Sequence, residues 1–300
     1  MRILITGATG LIGSKITEYC RQRGIEVNYL THNRSKIQNE PNFQGFYWNP
    51  QTGEIDVKCL EKVDAVINLA GANLFKIWTK SYKKELVESR VGSLNLLFKT
   101  LKNNKHQVKQ LVSASAIGIY PHSFQKIYDE TDPQAANSFL VKLIQKWEKA
   151  AGQFSTIGID VAILRTGMVL AKNGGALPIF KLSVNSYLGA PLGTGKQWQS
   201  WIHVSDVARI YLFAILQNLD GVYNAVSPNP VTNEEMTNAI AENLKKPLWL
   251  PKIPAPLLKL FMGQMATVAL SSQLVESKKI QQMGFEFYYS NINKALEDLL

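Results

Sequence analysis

The chain has 300 residues, 46% of them hydrophobic, and a formal net charge of +10. That apolar content supports a sizeable core and favours a folded chain over a disordered one, while no apolar run approaches the roughly 20 residues of a membrane span. The two cysteines, Cys20 and Cys59, lie far apart without metal-ligand spacing, so we expect a soluble cytoplasmic protein that does not contact membranes. The lysines are spread over helix faces without a nucleic-acid-binding motif, so nucleic acid is not an expected partner.

The first part of the chain alternates predicted strands with predicted helices. Short apolar runs predict the strands, and apolar residues at helical spacing predict the helices. The strands are expected at 2–6, 26–30, 46–48, 64–69 and 110–113, and the helices at 12–23 and 80–101.

The second part continues this alternation and then changes character. A helix is predicted at 139–151, a strand at 160–164 and a helix at 204–216, with glycine-rich loops before the last helix. Such alternation predicts an α/β fold, a Rossmann-like doubly wound parallel sheet. A proline cluster beginning at Pro247 marks the boundary between a dinucleotide-binding domain, 1–245, and a small, mostly helical C-terminal domain, 246–300, packed on the substrate side of the core.

A glycine-rich turn connects the first strand to the first helix. Gly7 permits the tight turn, Gly10 lets the backbone approach a pyrophosphate, and Gly13 allows close packing of the helix on the strand. The amino end of the helix then offers free N–H groups to the phosphates. This context favours dinucleotide binding over an ordinary glycine turn.

The residues after the second strand favour NADP(H) over NAD(H). An acidic residue there would bind the ribose 2′-hydroxyl, but the chain has Thr31, His32 and Arg34 instead. Thr31 can donate to a 2′-phosphate, and His32 or Arg34 can neutralise it. The alternative is that Arg34 is an exposed residue of a surface loop and does not bind the cofactor.

Further cofactor contacts are expected at the fourth strand and on the long helix. Leu69 and Ala70 lie at the end of the strand, where we expect them to line the adenosine side of the cleft. Arg90 lies at the edge of an apolar stripe and requires an anionic partner, while Glu85 precedes it by about one turn. For both charged residues a structural salt bridge is the alternative to a ligand contact.

Several segments together resemble one protein family over nearly the whole chain. The chain is similar to the atypical extended short-chain dehydrogenase/reductases known as epimerase-family or YfcH-like proteins, which are related to nucleotide-sugar epimerases and carry a C-terminal domain of unknown function. The most specific of these segments is 189–203. The segments are 7–13, 68–72, 113–120, 165–170, 189–203, 206–207 and 225–233, with 270–274 and 283–287 resembling the extra domain.

The resemblance implies a set of NADP contacts. Family members usually carry an arginine where this chain has His32, which shifts the expected 2′-phosphate contact toward Arg34. The implied contacts are the glycine loop with Gly7, Thr9, Gly10, Leu11, Ile12 and Gly13, then Thr31, His32, Leu69, Ala70, Glu85, Arg90 and the backbone around Val169.

The catalytic residues of the wider superfamily are incomplete in this chain. Classical members use a serine or threonine with a Tyr-x-x-x-Lys pair, in which the lysine lowers the pKa of the tyrosine. Ser115 fits the first role, but Phe139 and Leu143 occupy the tyrosine and lysine positions. Tyr120 is the nearest phenol that could substitute, its alternative being an aromatic of the cleft wall. His203 is expected to line the cleft or pack rather than act as a base.

Two functions therefore remain open. The first is an NADP(H)-dependent oxidoreductase or epimerase-like enzyme acting on an unknown small molecule. The second is a catalytically silent NADP(H)-binding protein that reports redox state to a partner. No metal site is expected, because the four histidines are scattered. If copies of the chain associate, the expected assembly is a homodimer.

Overall fold

The computed structural model describes residues 1–132, 134 and 138–300. Their strands are β1 (Arg2–Thr6), β2 (Glu26–Thr31), β3 (Asn39–Glu40), β4 (Phe43–Asn49), β5 (Glu54–Ile55), β6 (Ala65–Asn68), β7 (Gln110–Ala116), β8 (Ile127–Tyr128), β9 (Asp160–Thr166), β10 (Met168–Leu170), β11 (Trp198–Gln199), β12 (Trp201–His203), β13 (Gly221–Ala225), β14 (Val231–Thr232) and β15 (Leu274–Val275). The helices are α1 (Leu11–Gln22), α2 (Lys80–Val87), α3 (Ser93–Asn103), α4 (Phe139–Gly152), α5 (Leu177–Asn185), α6 (Val204–Leu216), α7 (Asn233–Asn243), α8 (Ala255–Met262), α9 (Ala266–Leu270), α10 (Lys278–Gln282) and α11 (Ile292–Leu299).

The central sheet is mostly parallel and doubly wound, which confirms the predicted fold class. Its parallel strands lie in the order β13-β9-β7-β6-β1-β2-β4, and the short β3 and β5 pair antiparallel with β4. From β1 the chain builds outward through β2 and β4, then returns to β6 on the other side of β1. The strand order therefore reverses between β1 and β6, where open α/β sheets bind ligands at the carboxyl ends of the strands.

Helices cover both faces of the sheet. On one face Ile16 of α1 and Ile210 of α6 join the core, and on the other Leu94 of α3 and Trp147 of α4 do so. The strands are buried on both faces, which explains why they are continuous apolar runs. Among the described residues, none of the helices is both long and apolar enough to cross a membrane.

The helix predicted at 80–101 contains an irregularity that its periodicity did not reveal. It consists of α2 and α3 joined by a π-helical turn at Glu88–Gly92. Such turns are frequent at functional sites, because the extra residue redirects neighbouring side chains. Arg90 lies in the middle of this turn and is buried.

Strand β13, which the sequence did not predict, forms one edge of the sheet. It pairs with β9 on its inner side. On its outer side the backbone N–H of Asn224 donates to the Glu130 carboxylate at 2.7 Å, and the Val222 carbonyl accepts from Lys279 Nζ at 2.6 Å. Burial of Glu130 raises the pKa of its carboxyl group. Side chains thus occupy the hydrogen-bonding positions that an edge strand exposes.

The C-terminal segment packs along the main domain at several separate places. Val275 of β15 packs in a small cluster beside β8, while Ile280 and Phe285 enter the core under α1 and α6. Leu296 of α11 packs against α7, and Met265 packs near Trp78. The buried apolar residues of this segment lie against the rest of the chain, whereas Leu260 and Phe261 of α8 are 77% and 73% exposed.

Candidate dinucleotide-binding site

The glycine turn has the geometry that its three glycines predicted. Gly7 adopts a φ of +71°, a left-handed value that favours glycine, and the Gly10 amide donates to the Gly7 carbonyl at 2.9 Å. A Cβ on Gly13 would overlap the Gly7 carbonyl oxygen and lie 2.8 Å from Ala8 Cα. Helix α1 begins after the exposed Gly10 without a side-chain cap, so its first N–H groups are available to an anion.

The end of β6 lies directly against this turn. The Thr6 hydroxyl donates to the Asn68 side-chain oxygen at 2.8 Å and accepts from the Leu69 and Ala70 amides at 3.1 and 3.0 Å. A Cβ on Gly7 would lie 3.1 Å from the Leu69 carbonyl carbon. The structure therefore brings Leu69 and Ala70 together with the glycine turn at the switch point.

Arg90 is the buried charge of the site. It is 6% exposed, and its guanidinium donates to the carbonyl groups of Ala72 at 3.0 Å and Leu86 at 3.3 Å. It lies 5.0 Å from the centre of the Trp147 ring, and its Nε has no hydrogen-bond partner among the described residues. Burial lowers the pKa of Arg90 to about 10.

The neighbours of Arg90 leave its charge without compensation. A Cβ on Gly71 would lie 3.0 Å from the guanidinium carbon, so glycine is needed for this close approach. Its hydrogen-bond acceptors are neutral carbonyl groups, and in the described part of the chain no carboxylate forms an ion pair with it. A buried cation with neutral partners is costly in free energy, and an anionic ligand would offset that cost.

Thr31, His32 and Arg34 lie at the carboxyl end of β2. Thr31 is buried, and its hydroxyl accepts from the Asn33 amide at 3.2 Å, whereas His32 is exposed. The Arg34 guanidinium lies 3.7 Å from the centre of the Tyr47 ring and 3.2 Å from a Glu54 carboxylate oxygen. Arg34 thus has structural partners that the sequence did not reveal.

Val169 and Leu11 are brought together by a loop that follows β10. A Cβ on Gly175 would lie 2.8 Å from the Val169 carbonyl oxygen and 3.5 Å from Leu11 Cδ2. Gly175 therefore lies between the Val169 carbonyl group and the Leu11 side chain. Glu85, in contrast, is exposed on α2, and its carboxylate makes no ion pair or hydrogen bond with the residues described.

A family model described as the NAD dependent epimerase/dehydratase family matches residues 3–226. The chain belongs to this family. A second model, described as a domain of unknown function (DUF1731), matches residues 253–299. The resemblance inferred from the sequence is therefore confirmed, and the family's fold is one that binds NAD(P).

Relatives and solved structures agree with this assignment. The epimerase family protein SERP0438 of Staphylococcus epidermidis is 36% identical to this chain, covering 100% of the chain and 99% of the relative. Human epimerase family protein SDR39U1, solved with NADPH, is 28% identical with a TM-score of 0.87, covering 100% of this chain and 99% of its own. A nucleoside-diphosphate sugar epimerase from Corynebacterium glutamicum is 29% identical with a TM-score of 0.80, covering 100% of this chain and 58% of its own.

The positions at which short-chain dehydrogenases carry their tyrosine and lysine are apolar in this epimerase/dehydratase-family chain. Phe139 packs edge-to-face on Trp78, with ring centres 5.5 Å apart, and Leu143 is buried in the same cluster. Neither side chain can carry a proton. In the described part of the chain, Phe139 and Leu143 therefore stand where the Tyr-Lys pair is expected.

The structure places the hydroxyls of Ser115 and Tyr120 in a buried hydrogen-bond network, and their catalytic roles stay a prediction. The Ser115 hydroxyl donates to Glu148 at 2.6 Å and is buried. The Tyr120 hydroxyl donates to Asn224 at 2.8 Å and accepts from Arg165 at 2.9 Å, and the residue is only 1% exposed. Burial raises the pKa of Tyr120. Both hydroxyls belong to a buried polar network centred on Arg165, away from solvent.

His203 and the tryptophans of the 189–203 segment are structural. His203 Nδ1 accepts from the Ser205 amide at 3.1 Å and so caps α6, while Nε2 lies 3.2 Å from Asp298. Its ring stacks on Tyr289, with ring centres 3.8 Å apart. Trp201 is buried and donates to a backbone carbonyl, and the half-buried Trp198 does the same. The packed alternative therefore holds for His203.

The stability of the protein is expected to fall between pH 7.5 and pH 5, in part through His203. Burial lowers the pKa of His203 and outweighs the opposing effects of Asp298 and Asp206. The unfolded chain then binds the proton first as the pH falls below about 6.5, so stability is lost toward the lower folded-state pKa. His203→Asn keeps a hydrogen-bond acceptor that can cap α6. Its free energy of unfolding, measured with urea, should change less over this pH range than that of the original chain. An equal change in both proteins would contradict the assignment.

A largely open depression of about 390 Å³ lies between the glycine-rich loop and the C-terminal segment. Thr194 and Gln197 from the glycine-rich loop form one wall, and Lys259 and Leu270 from the C-terminal segment form another. Phe124, in the chain after β7, completes it.

Proposed function

We propose that this protein binds NADP(H) at the carboxyl ends of β1, β2 and β6. The observation that carries the proposal is the buried Arg90, whose guanidinium has neutral acceptors and an unpartnered Nε among the described residues. A dinucleotide brings the negative charge that this cation requires. The uncapped amino end of α1 and the close approach permitted by Gly7 and Gly13 fit the same ligand.

The preference for NADP(H) over NAD(H) rests on the residues that follow β2. Thr31, His32 and Arg34 provide hydroxyl, imidazole and guanidinium groups, and no carboxylate follows the strand in the sequence at that point. A ribose 2′-hydroxyl is usually held by a carboxylate there, whereas a 2′-phosphate needs donors and positive charge. The human relative solved with NADPH supports this preference.

Two functions are compatible with this cofactor site. In the first, the protein is an oxidoreductase or epimerase-like enzyme that acts on a small molecule bound in the 390 Å³ depression. A bound nicotinamide would donate or accept the hydride. The chain itself would orient the substrate, with Lys259 and Thr194 as polar groups of the wall of the depression.

The second candidate is a catalytically silent NADP(H)-binding protein. Specific observations favour it: Phe139 and Leu143 replace the proton-transferring pair, and the Ser115 and Tyr120 hydroxyls are engaged in a buried network. Such a protein would bind the reduced and oxidised cofactors without turnover and report their ratio through a partner.

Titration of the purified protein with NADPH and NADH tests the cofactor proposal, with nicotinamide fluorescence as the measure of binding. Tighter binding of NADPH is expected, whereas binding of neither nucleotide would overturn it. The protein loaded with NADPH is then mixed with carbonyl compounds and nucleotide sugars. Oxidation of the cofactor would establish the enzyme, and stable NADPH across the whole panel is the result expected of the silent protein.

Arg90→Met is expected to weaken NADPH binding by at least about tenfold, since it removes a charge-assisted contact. The thermal stability of the ligand-free protein should hardly change or should rise, because the variant also removes an uncompensated buried charge. Lys84→Met is the matched control: it removes one positive charge from the adjoining helix, where the side chain is 78% exposed, and should leave the affinity unchanged. Unchanged affinity in Arg90→Met would contradict the proposed role.

A further inference from the structure

The guanidinium of Arg34 is held at the edge of the sheet by two side chains that the NADP(H) proposal does not use. Tyr47 of β4 lies directly beside Thr31 in the β2–β4 pairing, so the Tyr47 ring reaches the carboxyl end of β2. Arg34 stacks on that ring at 3.7 Å. Glu54 of β5, paired with Asn49 at the end of β4, binds the guanidinium from the side at 3.2 Å.

The ion pair between Arg34 and Glu54 is exposed and therefore weak. The two side chains are 68% and 55% exposed, so water and salt screen their attraction. A phosphate monoester carries nearly two negative charges and presents several acceptor oxygens to a guanidinium, so it binds arginine more strongly than an exposed carboxylate does. A 2′-phosphate at the end of β2 could displace Glu54 from Arg34.

The stacking on Tyr47 keeps Arg34 close to Thr31 and the exposed His32 even if Glu54 is displaced. A planar guanidinium on an aromatic ring retains its edge donors for an anion. Glu54, in contrast, remains next to the incoming phosphate and repels it. The same carboxylate has no such effect on NAD(H), whose ribose 2′-hydroxyl is neutral.

We propose that Glu54 sets the cofactor selectivity of this protein by competing with the 2′-phosphate of NADP(H) for the Arg34 guanidinium, with Tyr47 holding Arg34 in place. This inference rests on the proposed NADP(H) function. Glu54 is a specificity-determining residue in this account, and it lowers the preference for NADP(H) over NAD(H) below the value that Thr31, His32 and Arg34 alone would give.

Glu54→Gln is expected to tighten NADPH binding by about 2- to 5-fold, the range of one screened charge pair, and to leave NADH binding unchanged. The pair 2′,5′-ADP and AMP should show the same selectivity, because these probes differ in the 2′-phosphate and contain no nicotinamide. Arg34→Gln should weaken NADPH and 2′,5′-ADP while sparing NADH and AMP. In the Arg34→Gln background, Glu54→Gln should change the selectivity much less than it does in the original chain.

Glu40→Gln is the matched control. Glu40 lies on β3 at the same edge of the sheet and forms a comparable exposed ion pair with Arg21 at 2.9 Å, so the variant makes the same change in net charge. Its selectivity between the two probes should equal that of the original chain. If Glu54→Gln shifts both nucleotides equally, or matches Glu40→Gln, the inference about Glu54 fails while NADPH binding stands. If the original chain binds neither NADPH nor 2′,5′-ADP, the proposed function itself fails.

Discussion

Arg165→Met is expected to lower the free energy of unfolding by about 3–5 kcal/mol, the cost of breaking a buried ion pair. Arg165 donates to both Glu148 carboxylate oxygens, at 2.9 and 3.0 Å, and the two side chains are 4% and 11% exposed. Burial alone would lower the pKa of Arg165, but the contacts with Glu148 and Tyr120 outweigh it and raise that pKa. The variant would leave the Glu148 carboxylate buried without its cation.

Urea unfolding followed by circular dichroism measures this loss. The double variant Arg165→Met with Glu148→Leu should recover much of the stability, because it buries no unpaired charge. Arg21→Met is the surface control, since the Arg21–Glu40 pair is about half exposed and should cost less than about 1 kcal/mol. A double variant as unstable as the single one would mean that packing, rather than charge, explains the loss.

Gly13→Ala is expected to reduce NADPH affinity roughly 100-fold, equivalent to losing one or two hydrogen bonds to charged phosphates. The added Cβ would overlap the Gly7 carbonyl oxygen and approach Ala8 Cα to 2.8 Å. These are backbone atoms of a tight turn and can move only if α1 separates from β1. The N–H groups at the start of α1 would then leave the position in which they meet the phosphates.

Gly152→Ala provides the matched control for Gly13→Ala. Gly152 ends α4 in a helical conformation, and a Cβ there has no neighbour within 4 Å among the described residues. This variant should keep full NADPH affinity and gain up to about 1 kcal/mol of stability. NADPH titration of both variants, with unfolding curves as a check on folding, tests the prediction. If Gly13→Ala and Gly152→Ala bind NADPH with equal affinity, the glycine turn is not part of the binding site.

The sequence predicted the elements whose burial pattern is local. The local signals are the glycines of the turn from β1 to α1, the apolar runs of β6 and β9 and the helical periodicity of α4 and α6. The structure has these elements within a few residues of the predicted positions. In the central sheet, strands β3, β5 and β13 were missed, because their strand conformation depends on partners such as β4 and β9 that are distant in the chain. The π-helical turn is equally invisible to helical periodicity.

The parts of the candidate site that depend on backbone geometry were predictable from the sequence. The parts that depend on contacts between distant side chains were less so. The geometry of Gly7, Gly10 and Gly13 follows from the motif itself. The partners of Arg34 do not, because Tyr47 and Glu54 reach it through strand pairing. For Arg165 there was a usable signal: a charged residue at the end of an apolar strand requires a buried partner, although the sequence does not identify Glu148 as that partner.

The outer edge of β13 bears on how copies of this protein can associate. An open strand edge would allow a second chain to continue the sheet, and uncontrolled addition of that kind leads to aggregates. Glu130 and Lys279 already satisfy the outward groups of Asn224 and Val222. A new strand would have to displace both side chains and leave a carboxylate and an ammonium group beside its own backbone. Self-assembly of this protein should therefore use other surfaces and leave the sheet at its present width.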